Sequence, residues 1–343
     1  MTKATKWHDV RTLTIEGKGW SDTDKFYDRL PARAEKLVRP EVWKLAQNSA
    51  GISARFTTDA DSISVRWTLR SPNLALPNMT AIAVSGVDVY VKENARWRWV
   101  GSGKPDKPAL NEQKIISNMA PRSREYMVYL PLYNGVDSVE IGVPDGAAVS
   151  AAKWYKPGTK PLVFYGTSIV QGASASRPGL AYPSILGRYL DLPIVNLGFS
   201  GNGRMEPEIA DLLVEIDASV YVIDCLPNLS TAAQVTERTP KLVDILRRKR
   251  PSVPIVLVEN IQYPDTFIEM SKNRIVREKN DALKKVYREL LSAGIKNLFY
   301  VPADNLIGAD GEGTIDGVHP NDLGFARMAE KLEAVLKKIL KRK

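Results

Sequence analysis

The chain contains two histidines, His8 and His319, so a reaction that needs an imidazole base has few places to run. His319 lies in Asp316-Gly317-Val318-His319-Pro320, three residues after a carboxylate. Ser168 follows a short apolar run, Leu162-Val163-Phe164, that Gly166 ends. A serine hydroxyl is a poor nucleophile until a base takes its proton. Ser168, Asp316 and His319 therefore form a candidate nucleophile, orienter and base, in the order Ser, Asp, His.

Acyl transfer also needs donors aimed at the oxygen that becomes negative. The backbone N–H of Ser168, the N–H of Gly201 and the side-chain amide of Asn228 are the candidates. A glycine suits position 201 because backbone can then approach a substrate with no side chain in the way. Each stretch also has a plain structural reading. Gly166-Thr167-Ser168 can be a helix cap or a turn. Gly198, Gly201 and Gly203 can shape a loop, and they lack the dinucleotide-binding spacing. Asp316 and His319 can form a capped turn before the last helix, which Pro320 fits. Asn228-Leu229-Ser230 spells a glycosylation sequon, yet Ser230 reads better as the cap of the next helix. Four such stretches, in order and each after a strand, favour the catalytic reading.

The strands that must position them are legible as apolar runs at 162–165, 194–197, 220–224, 255–258 and 298–301. Helical stretches separate them, at 206–216 and from about 268 to 293. The last helix should bury Phe325, Met328, Leu332, Val335 and Ile339. Five strands with helical crossovers imply a parallel, three-layer α/β sheet. Its carboxyl edge is where open sheets of this kind place ligands.

Residues 1 to about 155 read differently. Ile63, Val65, Trp67 and Leu69 alternate with polar residues, as do Val87, Val89 and Val91. Glu93-Asn94-Ala95 should turn a hairpin into Trp97 and Trp99. Further strands are expected at 125–130 and 138–143, which together suggest an antiparallel β-sandwich. Residues 24–45, rich in charge and proline, are expected to be irregular. The pattern changes across 144–161, which divides the chain into a β-sandwich domain (1–156) and an α/β domain (157–343).

Composition narrows the partners. The net charge of +9 comes from scattered residues, and the densest basic run, 337–343, reads as a solvated helix end. Nucleic-acid binding is not expected. No apolar run reaches the length of a membrane span, so no membrane partner is expected either. The amino terminus shows no apolar h-region, and no signal peptide is expected in this chain. Cys225 is the single cysteine, which excludes an intramolecular disulfide. One cysteine and two distant histidines do not make a usual zinc site, so no metal or other cofactor is expected. The oligomeric state is not legible.

Together these stretches resemble the SGNH hydrolase family, also called GDSL esterases. The four residues behind that name map to Ser168, Gly201, Asn228 and His319, and the family's aspartate maps to Asp316. The resemblance narrows to a bacterial branch with a β-rich amino-terminal domain. Gly86-Val87-Asp88-Val89-Tyr90 is similar to that domain's Gly-x-Asp-Leu-Tyr signature, with Val89 where leucine is usual. Residues 165–169, 175–179, 197–206 and 224–228 also resemble the branch. Gly-Asp-Ser is replaced by Gly166-Thr167-Ser168, and no aspartate follows Asn228, where Leu229 stands. Val170 occupies the place of the second glycine of a Gly-x-Ser-x-Gly elbow, which argues against the ordinary α/β-hydrolase fold.

The resemblance implies a flavodoxin-like SGNH-hydrolase domain preceded by the sandwich. It implies a serine esterase acting on short-chain carboxylic esters, with an O-acetyl group on a carbohydrate as the favoured substrate and an acyl-enzyme intermediate. In that scheme Ser168 attacks, His319 shuttles the proton, and Asp316 orients the ring. Ser168, Gly201 and Asn228 hold the oxyanion. Arg177, Asn202, Arg204 and Tyr263 are expected to line the pocket. Family habit favours export to the periplasm or beyond. The alternatives are a thioesterase or lysophospholipase on the same residues, or a carbohydrate-binding protein using Trp97 and Trp99.

Overall fold

The computed structural model of the chain describes residues 4–341; residues 1–3 and 342–343, the outermost parts of the two termini considered above, lie outside the described residues. The chain forms two compact units. Unit 1 comprises the residues up to Ala32, Ala46–Thr159 and Ser176–Gly179; unit 2 comprises Arg33–Leu45, Lys160–Ala175 and the residues from Leu180 onward.

Unit 1 is built from ten strands: β1 (Thr5–Asp9), β2 (Thr14–Glu16), β3 (Ser53–Thr58), β4 (Ile63–Leu69), β5 (Val87–Glu93), β6 (Arg96–Gly103), β7 (Leu110–Ile116), β8 (Arg124–Tyr129), β9 (Val136–Pro144) and β10 (Val149–Ala151). They form two antiparallel sheets, in the orders β1-β9-β4-β7 and β10-β3-β8-β5-β6, with β2 paired to β3. Side chains from both sheets, among them Phe56, Trp67, Val89, Tyr126 and Ile141, share one buried core. β4 shows why: Ile63, Val65, Trp67 and Leu69 are buried while Ser64, Arg66 and Thr68 are half open, the period of two that a pleated strand imposes. The expected hairpin joins β5 to β6 through Asn94 and Ala95, both at positive φ (49° and 60°), as a tight two-residue turn requires. Residues 24–45 are not wholly irregular. They hold a 3-10 turn at Ala32–Lys36 and the start of helix α1 (Pro40–Ala46). Helix α2 (Ala81–Ser85) precedes β5, and the Ser85 carbonyl accepts the Trp67 indole N–H at 2.9 Å.

Unit 2 carries the parallel sheet. Its strands are β11 (Leu162–Gly166), β12 (Ile194–Gly198), β13 (Val220–Asp224), β14 (Ile255–Val258) and β15 (Leu298–Val301), in the order β12-β11-β13-β14-β15. Every neighbouring pair is parallel. Counted within the unit this is the order 2-1-3-4-5 of flavodoxin-like folds, whose ligands bind where the order reverses, between the first and third strands. The helices are α3 (Ser168–Gln171), α4 (Tyr182–Leu190), α5 (Pro207–Leu213), α6 (Ala232–Lys249), α7 (Met270–Ser292) and α8 (Asp322–Leu340). α4 packs with α8, and α5, α6 and α7 pack in succession.

The stripe on α8 differs in one position from the expected one. Phe325, Met328, Leu332 and Ile339 are buried, but Leu336 rather than Val335 completes the set. Steps of three and four residues keep a face aligned, and both 335 and 336 satisfy them between 332 and 339, so periodicity alone does not choose between the two. No described helix is long and apolar enough to cross a membrane.

Register fixes the height at which the functional loops begin. Gly166, the last residue of β11, stands opposite Gly198 of β12 on one side and Asp224 of β13 on the other. Three strands thus end at one level. The three loops that follow carry Ser168, Gly201 and Asn228.

Candidate active site

Thr167 and Ser168 divide the work at the end of β11. Thr167 caps α3, its hydroxyl accepting the Ile169 N–H at 3.2 Å. Ser168 opens the helix and is nearly buried, at 7% exposure. The cap and the candidate nucleophile are therefore adjacent residues, and the one reading does not displace the other. Gly172 ends α3 in the left-handed conformation, after a single turn.

His319 reaches the serine from a loop before α8. Its Nε2 lies 3.0 Å from Ser168 Oγ, and its Nδ1 lies 2.7 Å from Asp316 Oδ2. The other carboxylate oxygen of Asp316 accepts the backbone N–H of Val318 (3.1 Å) and of His319 (2.8 Å). An ionised carboxylate only accepts, so the proton on the ring sits at Nδ1 and Nε2 is left to accept from the serine. Asn321 fixes the loop from its far end. It caps α8 through Gly324 N–H at 3.0 Å and donates its amide to the Glu312 carbonyl at 2.7 Å. Pro320 pairs with Thr314 in an isolated bridge.

The loop after β12 closes against the end of β11. Gly166 carbonyl accepts the Phe199 N–H at 2.9 Å, and Gln171 of α3 accepts the Ser200 N–H at 3.1 Å. A side chain at position 203 would place its Cβ 1.8 Å from the Gly166 carbonyl oxygen, so Gly203 is the residue that lets two backbones meet. Gly201 differs. Its φ is +69°, and a Cβ there would meet nothing within 4 Å. Its need for glycine is conformational, and the space beside it is open.

Asn228 stands at the end of a 3-10 turn after β13, Leu226–Asn228. Its amide meets its surroundings when the side-chain oxygen accepts the N–H groups of Asn202 (3.0 Å) and Gly203 (3.2 Å). In that orientation the NH₂ is turned away from those donors. The turn is pinned from below by Lys279 of α7. This buried lysine donates to the Leu226 carbonyl and to Asn260 Oδ1, both at 3.0 Å, and burial pulls its pKa down to about 8. At the root of the turn, burial pushes the Asp224 carboxyl up to about 7, against the opposing effect of a hydrogen bond donated by the Tyr182 hydroxyl at 3.0 Å. The next helix, α6, is capped by Thr231, not by Ser230.

The four expected pocket residues fare differently. Arg177 belongs to unit 1, where it is committed to the Gly86–Tyr90 signature. Its Nη1 donates to Asp88 Oδ2 (2.7 Å) and to the Tyr90 hydroxyl (2.5 Å), and it stacks over Trp99 at 4.8 Å. Trp99 in turn donates its indole N–H to Asp88 Oδ1 at 2.7 Å, so the aromatic platform considered for a sugar already carries Arg177. Trp97 is half-buried and packs on a small cluster of Tyr90, Met127 and Tyr129 outside the main sandwich core. Asn202 and Arg204 do sit on the loop after β12. Asn202, however, spends its amide on Ser200 and Arg39, and Arg204 Nε donates to the Gly201 carbonyl at 3.0 Å. Tyr263 lines a cavity of about 300 Å³ with Pro264, Phe267, Asn305 and Ile307, and the triad is not part of that lining. Among the described residues no group of three or more His, Cys, Asp and Glu side chains is placed to hold a metal ion.

Comparison with known proteins agrees with this architecture. Residues 159–337 match the model of the GDSL-like lipase/acylhydrolase family, and residues 5–149 match that of the N-terminus of the SGNH-hydrolase type of esterase. A Bacteroides ovatus protein whose crystal structure is described as that of a GDSL-like lipase is 37% identical, with a TM-score of 0.93 over 98% of each chain. A salicylyl-acyltransferase from a tetracycline biosynthetic pathway shares the fold at 18% identity, with a TM-score of 0.78 over 98% of each chain. A family two carbohydrate esterase from Cellvibrio japonicus shares it at 14% identity, with a TM-score of 0.63 over 99% of each chain. No curated protein matches the sequence.

Two predictions follow from the local physics. Gly203→Ala should be the more damaging of two glycine changes, because its Cβ collides with backbone while that of Gly201→Ala enters open space. Overpacking of this kind costs about 1–3 kcal/mol and displaces the loop, so thermal melting should fall further, and activity with it, than for Gly201→Ala. Equal melting temperatures for Gly203→Ala and the parent chain would contradict the packing described. The second concerns Asp224. Its folded pKa, about 7, lies above the unfolded 3.8, so the folded chain keeps a proton that the unfolded chain loses between those values. That contribution to stability is complete below about pH 4 and is lost as pH rises through 7, a matter of a few kcal/mol. Urea unfolding of Asp224→Asn at pH 4.5 and pH 8 should show a flatter pH dependence than the parent chain; an unchanged slope would exclude Asp224 as its source.

Proposed function

The chain belongs to the GDSL-like lipase/acylhydrolase family and is an esterase of the SGNH type, and on that footing we propose that it hydrolyses short-chain carboxylic esters, chiefly O-acetyl groups on a carbohydrate, through an acyl-enzyme intermediate. The observation that carries this reading is the continuous path from Ser168 Oγ to His319 Nε2 at 3.0 Å and from His319 Nδ1 to Asp316 at 2.7 Å. As Oγ attacks the acyl carbon, its proton passes to Nε2. The Asp316 carboxylate stabilises the imidazolium that results. The carbonyl oxygen gains negative charge and is met by the N–H groups of Ser168 and Gly201 and by the Asn228 amide. Collapse breaks the bond to the alcohol, which leaves with the proton from Nε2. A water then gives its proton to Nε2 and attacks the acyl-serine carbon. The second collapse frees the acid and returns the proton to Ser168.

The short acyl preference rests on the small residues beside the nucleophile, Gly172-Ala173-Ser174-Ala175, and on the polar loop 198–206. A thioesterase or lysophospholipase would ask for a long apolar channel. The carbohydrate reading is supported by the fold shared with proteins described as family two carbohydrate esterases and with an acetyl xylan esterase from Butyrivibrio proteoclasticus.

Kinetics on p-nitrophenyl esters test the reading. Acetate should be turned over at least about tenfold more efficiently than octanoate, a difference of about 1.4 kcal/mol in activation free energy. Ser168→Ala and His319→Ala should each lower kcat by several orders of magnitude, and the double variant should be scarcely worse, since such residues act as one unit with losses near 10⁶-fold in the best-studied serine hydrolase. Asn228→Ala should cost about 10²–10³-fold, mostly in kcat. A fully active, folded Ser168→Ala chain would end the nucleophile assignment, and a preference for octanoate would end the acetyl one.

A further inference from the structure

The guanidinium of Arg39 reaches the same loop that holds Asn228. Arg39 lies just before α1, in the segment 33–45 that belongs to unit 2, and it is separated from the loop by about 160 residues of sequence. Its Nη1 donates to Asn202 Oδ1 at 2.7 Å. Its Nη2 donates to the Asn202 carbonyl at 2.8 Å and to Glu206 Oε1 at 2.5 Å. The other oxygen of Glu206 accepts the Arg204 N–H at 2.8 Å and the hydroxyl of Tyr165, a residue of β11 two positions before Thr167. Loop 198–206 is therefore tied at three points. Arg39 grips its middle, Glu206 grips its end, and Tyr165 joins that end to the strand that carries the nucleophile.

Asn202 is the link that gives this grip a consequence. Its side-chain and main-chain oxygens face Arg39, while its N–H donates to the Phe199 carbonyl at 2.8 Å and, with the Asn228 amide turned as described above, also lies 3.0 Å from the Asn228 side-chain oxygen. The loop has reason to need a grip. Gly201 and Met205 both sit at positive φ (69° and 58°), a conformation that costs a methionine about 1–3 kcal/mol and persists only when its surroundings impose it.

We propose that Arg39 is a positioning residue for ester hydrolysis: through Asn202 and Glu206 it sets the loop that aims the Gly201 N–H and the Asn228 amide at the oxyanion. The inference rests on the reading of the site given above. Lysine cannot replace it, because one ammonium does not match two oxygens of Asn202 and a carboxylate in a planar fork.

Steady-state kinetics of the full chain on p-nitrophenyl acetate provide the test, with Arg39→Ala, Arg39→Lys, Asn228→Ala and the Arg39→Ala/Asn228→Ala double variant. Arg39→Ala should lower kcat by roughly 10–10²-fold, as a misplaced catalytic group does, with KM changed by less than about threefold. Arg39→Lys should recover little of it. Added guanidinium should restore part of kcat in Arg39→Ala and none in Asn228→Ala. In the double variant the loss should be close to that of Asn228→Ala alone, because two residues that act on one group do not add. Melting curves separate this from a loss of folded protein, and the guanidinium rescue stays informative if Arg39→Ala is less stable. A normal kcat in Arg39→Ala, or losses that multiply in full in the double variant, would overturn the proposal while a slow Asn228→Ala left the site reading standing. A normal kcat in Asn228→Ala would overturn both.

Discussion

A serine hydroxyl in water keeps its proton, and the hydrolysis proposed for this chain depends on one contact that would change that: 3.0 Å between Ser168 Oγ and His319 Nε2. The two residues are 151 positions apart in sequence. No local preference can bring them together, so the whole parallel sheet serves as the ruler between them. β11, at the point where strand order reverses, delivers the serine. α8, packed on α4, fixes the far end of the loop that delivers the histidine. Asp316 orients the ring and the backbone of its own loop at once, with a separate oxygen for each.

Around that contact the structure is a problem of close approach between backbones. Gly166 faces Gly198 and Asp224 in register, Phe199 N–H bonds the Gly166 carbonyl, and Gly203 presses against the same oxygen. Rigid, preorganised donors are worth more to a developing oxyanion than mobile ones, since they need no reorganisation when charge appears. The buried cations Lys279 and, half-buried, Arg39 stabilise the two loops from behind, each by bonding carbonyl oxygens rather than substrate.

The five parallel strands were legible to within a residue, because each is a short apolar run, buried throughout in β11 to β14 and at both ends of β15. Ser168, Asp316 and His319 could be grouped from the sequence because each followed a strand and only two histidines were available, and the fold brings the three side chains within hydrogen-bond distance. Arg39 and Lys279 were not legible. An arginine in a charged, proline-bearing stretch and a lysine on a charged helix look like solvated surface until the tertiary fold supplies their partners. The partners of Arg177 were hidden for the opposite reason. Its position in the sequence lies between α3 and α4, yet Ser176–Gly179 belong to unit 1, where Asp88 accepts from Arg177, Gly179 N–H, Trp99 and Ser102 together. Strands β1, β3 and β7 escaped because their alternation is diluted by charged or small residues, and pairing with neighbours decides them.

The central claim is that Ser168 carries the acyl group during turnover. Rapid acid quench of the protein during hydrolysis of p-nitrophenyl acetate, followed by intact mass and peptide mapping, measures this directly. The account predicts one acetyl adduct per chain, on the peptide containing Ser168, formed within the first turnover and lost as substrate is exhausted. Sustained turnover with no adduct, or with the acetyl group on another residue, would contradict it.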